Sequence, residues 1–362
     1  MGGSIGTARR EDPMPQSEKN RFCLDSRAGE LGFRGLLVPE LVDQLVCARS
    51  EKEIEIPWME RSRTVLVSHP TQRFAGQLQR FETSRRQGSS FLYGLWEKSL
   101  VRRAGLFAFH RFCPVDRLGP AHRCPTITTL LPARSGLPLR LHARANDHYV
   151  VPSEGDKRLL IERFGFPRET IQVTMPSARR YFHVNPRTPK TAEPSVVFLC
   201  GRSGSSEIRR LRALITGRYP EMAHVSIPVS DDGPFGPVEW AKQLASARLV
   251  VYLTHKPFDW GTLALESLQY EVPVVFPDRH SALAELLPDS MLKLSRFLVD
   301  MPSAAALKAL GMAEKERLFT AGALDPLALA KQYARVFNGI FGPAATDLRD
   351  QKAAPDACDC SA

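Results

Sequence analysis

Residues 195–200 read Ser195-Val196-Val197-Phe198-Leu199-Cys200, and residues 249–253 read Leu249-Val250-Val251-Tyr252-Leu253. Both are short apolar runs without polar alternation, the pattern of strands covered on both faces of a parallel sheet. Around them the sequence predicts strands over 223–229 and 273–276 and helices over 205–216, 238–247, 261–269, 281–287 and 324–337. Strands that alternate with helices make residues 195–342 a Rossmann-like α/β domain.

Upstream lies Asn185 to Pro194, NPRTPKTAEP, where three prolines and small polar residues interrupt the apolar pattern and predict a linker. The same grammar recurs more faintly before it. Strands are expected over 64–68, 106–109, 126–131, 149–151 and 171–174, and helices over 39–48, 73–85, 91–103 and 154–164. No clear strand precedes Gly32 or Gly35. Residues 21–184 thus read as a second, less regular Rossmann-like domain that faces the other across a cleft. Residues 1–20 and 343–362 are polar or aperiodic and read as tails. The length of 362 residues suits two such domains, and a composition 43% hydrophobic and 24% charged excludes a fibrous or disordered chain.

No apolar run reaches the length that spans a bilayer, and the N-terminus lacks the apolar core of a secretory signal, so a cytoplasmic protein is expected. The seven cysteines show no CxxC spacing, and Cys358 with Cys360 makes at most half a metal site. Neither a metal nor a cofactor is expected. The net charge of +10 calls for an anionic partner, and it is concentrated: about fifteen Lys and Arg face three acids between Arg61 and Arg144. Within that stretch, residues 85–103 read as a basic amphipathic helix with Tyr93 and Trp96 placed for an anionic membrane surface; a solvated domain helix is the plainer alternative. Nucleic acid is disfavoured, because no recognised binding module accompanies the charge.

In an open parallel sheet, ligands bind beyond the carboxyl ends of strands, where helix N-termini favour anions. Two turns qualify. Gly201-Arg202-Ser203-Gly204 follows the 195–200 strand and offers close backbone approach and a guanidinium for phosphate, although such a sequence is often only a turn. Phe258-Asp259-Trp260-Gly261-Thr262 follows the 249–253 strand and opens a helix, and one turn on Glu266 sits among leucines, where a carboxylate needs a partner.

The stretch GTLALESLQYEVPVVFPDRHSALAE, Gly261 to Glu285, resembles the donor-site segment of family-4 glycosyltransferases of the GT-B fold, E-G-F-G-L-P-x-L-E-A-M-A-x-G-x-P-V-V followed by a loop and a helical Glu. VVPSEGDKRLLIERFGFPRETIQVTMPSARRYF, Val150 to Phe182, and SVVFLCGRSG, Ser195 to Gly204, resemble that family's two preceding segments, in the same order. The resemblance implies two Rossmann-like domains facing a cleft and metal-independent, retaining transfer of a sugar from a nucleotide-sugar donor to a glycan or lipid-linked acceptor. It implies that Gly201, Arg202, Gly261 and Thr262 lie at the donor diphosphate, that Glu266 holds the ribose, and that Arg209 replaces a family lysine whose own position carries Glu207. No D-x-D motif occurs. The family's first glutamate is Phe258, with Asp259 beside it as the candidate for the sugar contact, and the Asn-Gly of the family's turn is Ser177-Ala178. His110 and Ser153 are the acceptor-side candidates. A non-catalytic GT-B-like protein that binds nucleotide or glycan in polysaccharide assembly is the rival reading.

Overall fold

The computed structural model describes residues 21–25, 41, 44, 64–69, 90–95, 106–115, 126–133, 141–144, 147–188, 193–200, 206–228, 237–254 and 256–341. Seven strands build the first sheet: β1 (Arg21–Asp25), β2 (Thr64–His69), β3 (Ser90–Leu95), β4 (Leu106–Pro114), β5 (Thr126–Leu131), β6 (Asp147–Val151) and β7 (Ile171–Val173). Their order is β3-β2-β1-β4-β5-β6-β7, and each neighbouring pair is parallel. The second sheet contains β8 (Ser195–Cys200), β9 (Ala223–Pro228), β10 (Ala247–Tyr252) and β11 (Val274–Val275) in the order β11-β10-β8-β9, again all parallel.

Two expectations for the first domain need correction. A strand does precede Gly32: β1 lies in the interior of its sheet, between β2 and β4. RFCLD is too short to show a period of its own, and its pairing on both edges, not its propensity, makes it a strand. The second correction is β3, which occupies the middle of the supposed amphipathic helix and pairs with β2 from Thr64↔Ser90 to His69↔Leu95. Ser-Phe-Leu-Tyr-Gly-Leu is rich in aromatic residues and carries a glycine, which favours a strand over a helix. No helix therefore runs through 85–103, and Trp96 lies outside the described residues. Of the helix expected over 39–48, Leu41 and Gln44 are described, both helical and buried; 73–85 lies outside the described residues, as do both tails.

Helices stand at or near the expected 154–164, 205–216, 238–247, 261–269, 281–287 and 324–337, and three more, at 181–184, 294–300 and 304–320, are not anticipated by the sequence reading. In chain order they are α1 (Glu154–Phe164), α2 (Tyr181–Val184), α3 (Ser206–Arg218), α4 (Pro237–Ser246), α5 (Thr262–Gln269), α6 (Ser281–Leu286), α7 (Leu294–Asp300), α8 (Ala304–Thr320) and α9 (Ala328–Phe341). The bounds of α1 have local causes: Ser153 caps its start by accepting from the Asp156 N–H at 3.0 Å, and Gly165 ends it in the left-handed region at φ 66°. Beyond α2, Arg187 anchors the start of the linker to the second domain through the carbonyls of Ala247 (2.7 Å) and Tyr270 (3.3 Å).

Each sheet has its own core. Val196 to Leu199, Val250, Val251, Trp240 and Phe276 are buried in the second, and Leu130, Tyr149, Leu160 and Phe166 in the first. Phe258 belongs to the first cluster although it follows β10 of the second sheet. Helix α9 also returns to the first domain, where Tyr333 and Thr129 share a hydrogen bond of 2.6 Å and Gln44 accepts from the Ala330 N–H at 3.2 Å.

Packing of α8 on the end of α5 depends on Gly311, because a Cβ there would stand 2.4 Å from the Glu271 carbonyl oxygen and 2.9 Å from its carbon. Glu271 itself is held at φ 61°, so its backbone has little freedom to retreat. Alanine is the better helix former by about 1 kcal/mol. The overlap is worth more, and Gly311→Ala should destabilise the protein by about 1–3 kcal/mol in denaturant unfolding; a stabilised variant would contradict this packing.

Candidate functional site

Strands β8 and β10 are neighbours, although β9 lies between them in sequence, so the chain reverses direction across the second sheet at this point. Ligand crevices of open α/β sheets form at such reversals, beyond the carboxyl ends of the strands. Topology thus brings the carboxyl ends of β8 and β10 side by side at this reversal. Gly201 and Arg202 follow β8 directly in sequence and lie outside the described residues; Arg209 is exposed on α3.

In the turn after β10, residues 253, 254 and 256–261 are described. Gly261 stands before α5 at φ 60°, and a Cβ there would meet Leu283 at 3.0 Å and the His280 ring at 3.4 Å, so glycine is required twice over. No side chain caps α5. The Gly261 carbonyl accepts from Ala264 and Leu265, so the first-turn N–H groups of Thr262 and Leu263 stand at the positive end of the helix dipole without an intrahelical acceptor. Thr262 is half-buried.

Asp259 is buried beneath this turn. It accepts from Tyr252 Oη at 3.0 and 3.2 Å, from Thr254 Oγ1 at 2.6 Å and from the Gly261 N–H at 3.0 Å. His280 Nε2 lies 3.7 Å from Oδ2, beyond hydrogen-bond length, and acts on the carboxylate through its field. Burial pushes the Asp259 pKa up, but His280 and the donors from Thr254 and Gly261 outweigh burial and hold it down at about 2. Asp259 is a permanent anion that shapes the turn, with its oxygens already occupied.

Glu266 is fully buried, and Arg179, in the segment between β7 and α2, binds both of its oxygens: Nε bonds Oε1, a terminal guanidinium nitrogen bonds Oε2 at 2.8 Å, and the Arg179 N–H reaches Oε1 at 3.4 Å. Burial pushes the Glu266 carboxyl up, and the charge and hydrogen bonds of Arg179 oppose that. Phe258, at φ 63°, carries its ring into the first-domain core and donates its N–H to Asp156 Oδ1 at 3.0 Å. Asp156 also accepts from Ser153 Oγ at 2.6 Å and from Ser281 Oγ at 2.9 Å; burial raises its pKa, and these donors oppose the rise. Glu285 of α6 completes the junction by accepting from the Glu154 and Gly155 N–H groups at 2.9 and 2.7 Å.

The structure therefore gathers Asp259, Gly261 and Thr262 in one turn, turns Glu266 inward onto Arg179, and uses Ser153 as the cap of α1. His110 lies in β4, paired with Leu24 and Ile127. Sequence reasoning missed Asp156, Arg179 and His280. Only Arg179 left a signal, as a cation within the turn where Ser177-Ala178 departs from the family's Asn-Gly.

No family model matches the chain, and no curated protein matches it. Solved structures do. A glycosyltransferase from Rickettsia africae ESF-5 superposes with a TM-score of 0.54 at 7% identity, covering 89% of this chain and 99% of its own. Alr3699/HepE of Anabaena, solved in complex with UDP and glucose, gives 0.55 at 10% identity, with 88% and 99% covered. WaaG, a glycosyltransferase involved in lipopolysaccharide biosynthesis, gives 0.50 at 10% identity over the same shares of both chains. At these identities the likeness speaks to architecture, and the two reversed parallel sheets have the GT-B fold.

Proposed function

We propose that the protein is a glycosyltransferase that moves a sugar from a nucleotide-sugar donor to a glycan or lipid-linked acceptor. The observation that carries this reading is the uncapped start of α5 at the β8–β10 crevice, shaped by Gly261 and anchored by Asp259. Departure of a nucleoside diphosphate builds negative charge, which a helix N-terminus and nearby guanidinium groups stabilise without reorganisation. On this reading Thr262 and Leu263 donate N–H groups to the diphosphate, and Arg202 and Arg209 supply cations. UDP and glucose bound in the Anabaena structure support a nucleotide-sugar donor. Retention at the anomeric carbon and independence from metal follow from the family resemblance and belong to the same proposal.

The basic stretch 61–144 supports an anionic acceptor on the first-domain side, and WaaG's involvement in lipopolysaccharide biosynthesis supports a glycan or lipid-linked one. Among the described residues no helix is long and apolar enough to cross a membrane. We place the reaction in the cytoplasm, at or near an anionic surface.

A second reading has one specific observation in its favour. Phe258 is withdrawn into the first-domain core and Glu266 onto Arg179, so both motif positions that would face the donor are engaged elsewhere. A non-catalytic GT-B protein would tolerate this. Transfer and hydrolysis assays across UDP-, GDP- and ADP-sugars, with glycan and lipid-linked acceptors supplied, separate the two: turnover with one donor class is expected, and saturable binding without turnover would establish the second reading.

Asp259 acts here by fixing the turn. Its folded pKa of about 2 lies below its ordinary 3.8, so its contribution to stability is fully present above about pH 4 and is lost as the pH falls through 2. Asp259→Asn should therefore cost about 2 kcal/mol at pH 7, and the gap from wild type should shrink between pH 4 and pH 2. A gap that persists unchanged at pH 2 would contradict the ionised role.

A further inference from the structure

The Glu266–Arg179 contact is a buried ion pair with both ends held. Glu266 is 0% exposed and Arg179 4%, and all three hydrogen bonds to the carboxylate come from the same residue, two from its guanidinium and one from its backbone. The guanidinium carbon also lies 5.4 Å from the centre of the Phe182 ring, so Arg179 is fixed from a second side. Glu266 sits at the middle of α5, enclosed by Leu263, Leu265 and Leu268, all buried.

A neutral diol cannot replace a guanidinium here. A ribose would offer Glu266 two hydrogen bonds but no charge, and displacing Arg179 would leave a fully buried carboxylate without its counter-charge. Keeping the pair intact leaves the carboxylate no oxygen aimed at a ligand. We propose that Arg179 has converted Glu266 from a selector of ribose into an internal pin of α5, so that the protein recognises a nucleoside diphosphate through its diphosphate and does not discriminate for the ribose diol. This rests on the donor reading above. It makes Arg179 a positioning residue that determines specificity by occupying the carboxylate.

The test is calorimetric titration of the full chain with UDP, GDP and ADP and with their 2′,3′-dideoxy counterparts. For whichever base binds, the ribo and dideoxy forms should agree within about twofold, since two charge-assisted hydrogen bonds to a carboxylate would otherwise separate them by about tenfold or more. A preference of tenfold or more for ribose would overturn the pin while leaving the donor reading intact. If none of the six binds, the donor reading falls, and the pin is decided on the nucleotide-free protein. There Arg179→Met and Glu266→Gln should each lower the melting midpoint by about 5 °C or more, with most of the loss recovered in the double variant Arg179→Met/Glu266→Met. Single variants that melt with the wild type would overturn the pin.

Discussion

A buried carboxylate must find donors, and Asp156 finds its donors in both domains. It caps α1 of the first domain through Ser153 and receives the Phe258 N–H and the Ser281 hydroxyl from the second. The junction fixes the turn that leads into α5. Phe258 is drawn into the first-domain core, Trp260 Nε1 donates to the Leu130 carbonyl at 3.0 Å, and Gly155 lets α1 approach α6 closely enough for Glu285 to take two of its free N–H groups. With Phe258 and Trp260 both committed to the first domain, Asp259 and Gly261 have one arrangement open to them, and the start of α5 is oriented accordingly.

The same economy explains the electrostatics of the crevice. Asp259 and Glu266 lie seven residues apart and are both buried, yet their environments drive them in opposite directions. Asp259 receives hydroxyl and amide donors with His280 nearby, and its carboxyl is held low. At Glu266 burial pushes the carboxyl up, and the charge and hydrogen bonds of a single residue, Arg179, oppose it. Neither oxygen set is left for a sugar. What remains uncommitted in this turn is the helix terminus itself, whose N–H groups and dipole favour an anion.

The fold of the second domain was legible because its strands are short, continuous apolar runs that alternate with helices: SVVFLC and ARLVVY are buried along nearly their whole length, as strands of a parallel, doubly covered sheet are. The first domain was harder. β1 is five residues long and owes its existence to partners forty and more residues away, which no local period records. In β3 a short apolar run between basic flanks reads as part of a longer amphipathic helix, because a run of this length carries no period that separates the two. At the site, Gly261 and Thr262 could be read because a glycine at a strand-to-helix turn has a backbone reason to be there. The roles of Arg179 and Asp156 could not, because both depend on partners about ninety or more residues distant, brought close only when two sheets pack.

The account turns on the first-turn N–H groups of α5 as the place where a donor's diphosphate is held. Amide-resolved NMR of the full chain during titration with UDP, GDP and ADP addresses this directly. Saturable shifts centred on the Thr262 and Leu263 amides are predicted, with the Arg179–Glu266 pair little disturbed. Saturable binding that leaves those two amides unmoved would contradict the account.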